Sequence, residues 1–182
     1  MNMEGLAGFQ PRDPKRPIRH AGSDTILPML KTISFALVFG VGACAGDLPS
    51  RKVLNLAAIK TMVQGAEAEA AKQNVPVTIC IVDDSGNLLF LEKEDGAALN
   101  TIQFAQKKAR HSAFYKSPSK NGADALKNGN VAVLAFPNFF PNQGGLPIQV
   151  DGQTIGGIAA SGAKSEIDEA ISQAGLDAFF KK

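Results

Sequence analysis

Two hairpin signals constrain this chain more than anything else in it. The first is the β-branched run Val77-Thr78-Ile79-Cys80-Ile81-Val82, followed by Asp83-Asp84-Ser85-Gly86-Asn87 and the apolar return Leu88-Leu89-Phe90-Leu91-Glu92. The second is Ile148-Gln149-Val150, then Asp151-Gly152, then Gln153–Ala160. Short polar, glycine-bearing stretches between β-prone runs make tight turns, and Asp-Gly suits the positive φ angles of a two-residue hairpin. Strands joined so closely pair antiparallel. Helical spacing surrounds both hairpins. A first helix runs to Gln73, with Ser50 as its expected N-cap and Asn74-Val75-Pro76 as its stop. Further helices are expected over 97–116, 121–128 and 164–180, and Val131–Phe136 reads either as a strand or as the entry to a loop. This order predicts an α/β sandwich of the α+β kind, with an antiparallel sheet in a single domain. It excludes a doubly wound nucleotide-binding fold.

Residues 1–46 read differently from residues 47–182, which are the expected domain. Arg12, Lys15, Arg16, Arg19 and Lys31 precede an uncharged apolar run, Ile33–Ala43. A basic segment, a short apolar run and then small residues form the pattern of a secretory signal, here over about residues 29–45. Ala43-Cys44-Ala45 offers an A-x-A cleavage site. Val41-Gly42-Ala43-Cys44 also resembles a lipobox, which would make Cys44 a lipid anchor. The alternative is a hydrophobic helix packed on its own domain or on a partner subunit. The expected location is periplasmic or extracellular.

Charge divides along the same line. The net charge is +2, and residues 1–46 carry five basic and three acidic groups, while residues 47–182 carry fourteen of each. The domain is therefore neutral, and bulk charge gives it no reason to bind nucleic acid. The apolar content of 45% excludes a disordered chain. No apolar run approaches the roughly 18 residues needed to span a bilayer. The glycines form neither G-x-G-x-x-G nor a phosphate loop, so neither NAD nor ATP is expected.

The 97–116 helix carries the most chemistry. Ala98, Ile102, Ala105, Ala109 and Ala113 share one face, so this helix should lie unusually close to its support. Phe104, Lys108, His111 and Tyr115 form a narrow stripe on another. His111 is the sole histidine beyond residue 46, suited to ligating haem iron or to acting as a general base. Tyr115 could donate a hydrogen bond or ligate ferric iron, and Lys108 could pair with a ligand carboxylate. The bland alternative is a solvated helix face. Gly144-Gly145 could bring backbone N–H groups to a ligand, or simply form a tight loop. Gly156-Gly157 suggests a bulge or a helix pressed against the sheet. Ser161-Gly162 sits at a strand-to-helix junction, where amides bind an anion or serve as an ordinary cap. Asp83 and Asp84 read as turn residues, Asp168 and Glu169 as surface helix residues, and Cys80 as a buried, inert thiol.

Together Ile81-Val82-Asp83-Asp84-Ser85-Gly86-Asn87-Leu88, Lys107-Lys108-Ala109-Arg110, Gln143-Gly144-Gly145-Leu146-Pro147-Ile148, Val150-Asp151-Gly152, Ile155–Gly162 and Asp168-Glu169 with Ala174-Gly175-Leu176 resemble the GlcG/HbpS haem-binding family. The same stretch is similar to the C-terminal domain of PduO-type adenosyltransferases. The resemblance covers roughly residues 50–182. It implies a five-stranded antiparallel sheet flanked by helices, a homo-oligomer from dimer to octamer, and haem as ligand. The expected function is that of an exported haem-binding protein acting in haem sequestration, degradation or redox and iron sensing. In that reading His111 or Tyr115 meets the iron and Lys108 a propionate. The resemblance does not itself assign an axial ligand, so His111 rests on the stripe and on the scarcity of histidines. His111-Ser112 stands where the family often has Thr-Ala, and Ala159-Ala160 replaces a usual glycine. Two other functions fit the same residues. One is an enzyme or accessory protein for a small carboxylate or enol, with His111 as base and Gly144, Gly145 and Ser161 amides holding the anion. The other is a structural assembly domain.

Overall fold

The structure, a computed structural model, describes residues 50–181. The readings of a signal segment, a cleavage site, Cys44 lipidation and a boundary at residue 46 lie outside these residues. The first helix, α1 (Leu56–Gln73), begins later than expected. Its N-cap is Asn55 rather than Ser50, and the Asn55 side chain accepts the Ala58 N–H at 2.8 Å. The chain before it stays non-helical so that Leu54 can pack into the core. α1 ends at Asn74, whose left-handed φ of 51° is one that Asn tolerates.

The first hairpin pairs β1 (Thr78–Asp83) with β2 (Leu88–Lys93). Asp83 holds its turn, accepting the N–H groups of Ser85 at 2.9 Å and Asn87 at 2.8 Å. Next come α2 (Thr101–Tyr115) and α3 (Ser119–Lys127). The second hairpin joins β3 (Gly145–Val150) to β4 (Gln153–Ser161). Asp151 and Gly152 both take positive φ, 50° and 76°, the geometry of a type I′ turn. α4 (Ser165–Phe180) closes the described chain.

All pairings are antiparallel and the sheet order is β2-β1-β4-β3. The described sheet thus has four strands, not the five expected. The candidate stretch, Val131–Phe136, forms instead a short 3₁₀ turn over Val131–Ala135. Asn128-Gly129-Asn130 winds the chain into it, with Gly129 at φ 84°, and Pro137 follows, so no extended run with free donors develops. β3 is an edge strand, which is where Pro147, with no N–H to give, is tolerated.

Strand alternation makes two unlike faces. Ile79, Ile81, Leu146, Ile148, Ile158 and Ala160 pack against Ile59, Met62, Val63 and Ala66 of α1 and Ile171 and Leu176 of α4. α1 and α4 also touch directly, Gly65 seating against Ala174 and Ala178. On the opposite face Cys80, Val82 and Ala159 meet Ala105, Ala109 and Ala113 of α2, with Leu91 of β2 packed at the side. The alanine face does bring α2 close. A Cβ added at Gly157 would lie 2.3 Å from the Ala109 carbonyl oxygen, so only glycine fits beneath the helix there. Cys80 is buried in this layer, and desolvation pushes its thiol up to about 12 against the pull of Arg110.

Candidate functional site

The stripe expected along α2 does not act as one surface. Lys108 turns inward past the end of β3, only 1% exposed, and its Nζ donates to Asp168 Oδ2 at 2.7 Å and to the Ala160 carbonyl at 3.3 Å. Asp168 is therefore buried, not a surface helix residue. It sits in the first turn of α4, where the helix dipole favours a carboxylate, and its other oxygen accepts the Ala163 N–H at 2.9 Å. The pair thus ties the helix on one face of the sheet to a helix on the other. Burial pulls the Lys108 ammonium below its ordinary range and lifts the Asp168 carboxyl above its own, each opposed by the partner's charge.

Gly144 and Gly145 line this passage. Gly144 has φ 125°, and a Cβ there would stand 2.9 Å from both Lys108 Nζ and Asp168 Cβ. The Gly145 N–H donates to Ser119 Oγ at 2.9 Å, and the Gly144 carbonyl accepts from Ser172 Oγ at 2.7 Å. Both glycines are buried, and these groups are engaged inside the protein. Ser161 is also buried, opposite Thr78 in the β1–β4 ladder.

His111 and Tyr115 stay together, beneath the segment that leads into β3. His111 is 1% exposed, and its Nδ1 accepts the Phe140 N–H at 3.0 Å. That bond requires a deprotonated Nδ1, and burial lowers the imidazole pKa to about 4. Tyr115 O–H donates to the Pro137 carbonyl at 2.7 Å. Phe139 closes over both rings, with centroids 5.0 Å from His111 and 5.7 Å from Tyr115. Residues 137–140 are thus pinned at both ends by the two side chains that read as iron ligands.

A cavity of about 220 Å³ opens beside this segment, lined by Lys107, Arg110, Asn138, Phe139 and Phe140. Lys107 Nζ lies 5.6 Å from the Phe140 ring centroid, and Phe104 braces that ring from 5.7 Å. Arg110 Nε donates to the Gly86 carbonyl at 3.0 Å. None of these lining residues figured among the expected site residues. The available signal was the three-residue spacing of Lys107 and Arg110, which puts both cations on one side of α2. The phenylalanines sit in a Pro- and Asn-rich loop with no periodicity to mark them.

These features define a class: a small α+β domain whose single antiparallel sheet lies between helices, with a cationic, aromatic cleft between α2 and the lead into β3. The chain belongs to the HbpS-like family, described as "Haem degrading protein HbpS-like", which matches residues 54–177. It is similar to Protein GlcG of Escherichia coli K12, 31% identical over 114 residues, 63% of this chain and 85% of that protein. Among solved structures it is similar to HbpS, with TM-score 0.67 and 28% identity over 74% of this chain and 96% of that one. A PduOC:heme complex superposes with TM-score 0.65 and 25% identity, covering 70% of this chain and 95% of that one.

Proposed function

We propose that this protein binds haem. The observation that carries the proposal is membership, over residues 54–177, of a family described as haem-degrading. The likeness to a domain whose structure is a haem complex supports it. Haem, when bound, supplies iron-centred redox chemistry, and the chain's share is to hold the porphyrin and bar water. In donor chemistry His111 and Tyr115 suit an iron. In the arrangement described they do not present themselves to one, because His111 Nδ1 is taken by the Phe140 N–H and the Tyr115 hydroxyl by Pro137. Ligation by either residue requires the 137–140 segment to lift. Lys108 is committed to Asp168 and is not the propionate partner in this arrangement.

Titrating hemin into the purified full chain tests the reading. A saturable, shifted Soret band is expected. Loss of the shift in His111→Ala or Tyr115→Phe would assign the ligand, and an unchanged band in both would move ligation elsewhere. The absence of any Soret shift in the wild-type protein overturns haem binding.

A further inference from the structure

We propose that the cleft beside α2 is a carboxylate site for a flat, apolar ligand body. Lys107 and Arg110 hold the carboxylate, and Phe139 and Phe140 the flat body. This goes beyond haem binding, since the cleft selects an acid and not an iron.

Charge is the first argument. The lining residues include two cations, one amide and no carboxylate. Among the described residues nothing forms an ion pair with Lys107 or Arg110. Two other cavities among the described residues differ. One is lined by Glu94 and Asp95 with no cation, and in the other Arg51 and Lys52 are already paired with Asp84 and Asp151. A cation pair facing a concave space without a counter-charge draws an anion, and low-dielectric walls strengthen the attraction.

Pre-organisation is the second. Arg110 spends Nε on the Gly86 carbonyl, which fixes its guanidinium plane and leaves the terminal Nη groups as a planar fork for a carboxylate. Phe140 is held behind by Phe104, and its backbone by His111. Asn138, at φ 57°, sits at the turn and adds an amide to the rim. The ligand therefore meets a wall and a fork already in place.

Size is the third. About 220 Å³ falls below the roughly 300–1,000 Å³ of pockets for drug-sized ligands. It admits one ring bearing an acid, or the acid-bearing edge of something larger. Two sources share that chemistry: a free aryl or alkenyl carboxylic acid, and the propionate edge of a porphyrin.

The test compares each acid with its neutral form on the full chain. Cinnamate and cinnamamide, followed by ligand-observed NMR, represent the free acid. Protoporphyrin IX and its dimethyl ester, followed by fluorescence, represent the porphyrin edge without iron. At least one acid should bind about tenfold more tightly than its neutral partner. Lys107→Gln, at an exposed position, should reduce that preference, and adding Arg110→Gln, which removes the second cation, should abolish it. Preference confined to cinnamate identifies a small acid, and preference confined to protoporphyrin IX identifies the porphyrin edge. Equal binding of acids and neutral forms, no binding of any of the four, or a preference that survives both substitutions overturns the proposal. A normal hemin Soret titration alongside equal acid and ester binding would sink the carboxylate site and leave haem binding standing.

Discussion

The two faces of the sheet are built on opposite rules. Toward α1 and α4 the strands present isoleucine and leucine into a deep layer of Ile59, Met62, Val63 and Ile171. Toward α2 they present Cys80, Val82 and Ala159 to a row of alanines. Each large aliphatic buried on the first face contributes about 1.5–3 kcal/mol, whereas alanine contributes little. The thick face thus supplies most of the hydrophobic stability. The thin face supplies position, because a helix resting on glycine and alanine has one height above the sheet. Consecutive lysines show what that height does. Lys108 is directed past β3 to Asp168, while Lys107, about 100° round the helix, stands over Phe140. One is structural and one faces the cleft.

The sharpest way to break this contrast is Lys108→Met, which leaves Asp168 buried without its partner. A loss of about 3–5 kcal/mol is expected in urea denaturation. Lys108→Met combined with Asp168→Leu should recover much of it, since an apolar pair needs no counter-charge. A single substitution costing under about 1 kcal/mol would show that the pair is open to water.

The two faces should also fail in opposite directions. Ile171→Ala removes volume from the thick face and should cost about 2–5 kcal/mol. Gly157→Ala adds a single carbon to the thin face and should cost about 1–3 kcal/mol, because the obstacle is the Ala109 carbonyl. A neutral Gly157→Ala would mean that α2 sits higher than described.

The most gradual effect is in pH. His111 has its native pKa lowered to about 4 from an ordinary 6.5. Between those values the unfolded chain takes up a proton that the native imidazole refuses, so stability falls as pH falls through the window. The loss should reach about 2 kcal/mol by pH 5 and level off below pH 4. Stability curves measured against pH should show this slope in the wild type, and His111→Gln should remove it. An unchanged slope in the variant would show that His111 titrates freely.

The hairpins and the close-packed helix were legible in the sequence because their causes are local. Asp83, Asp151 and Gly152 carry their turn geometry with them, and an alanine row has one use. Val131–Ala135 was not legible, because its apolar, valine-bearing run suits a strand and only the turn at Asn128-Gly129-Asn130 before it and Pro137 after it keep it wound. The start of α1 was expected at Ser50, but the cap is Asn55, because Leu54 packs into the core ahead of the helix. Lys108 misled most. A helical lysine ordinarily reaches water, and the acid that draws it inward lies 60 residues away. The cleft is not legible in the sequence because Phe139 and Phe140 become a wall only once His111 and Tyr115 pin their loop.

The contact between α1 and α4 carries a consequence for how the protein is made. A ribosome delivers α1 first among the described elements and α4 last, with the whole sheet between them. Until Ser165–Phe180 emerges, the isoleucines of β1 and β4 have only half of their cover, and Gly65 has nothing to rest against. The deep layer therefore closes only once α4 has been made. A nascent chain stalled before α4 exposes its most apolar surface, the kind that chaperones bind.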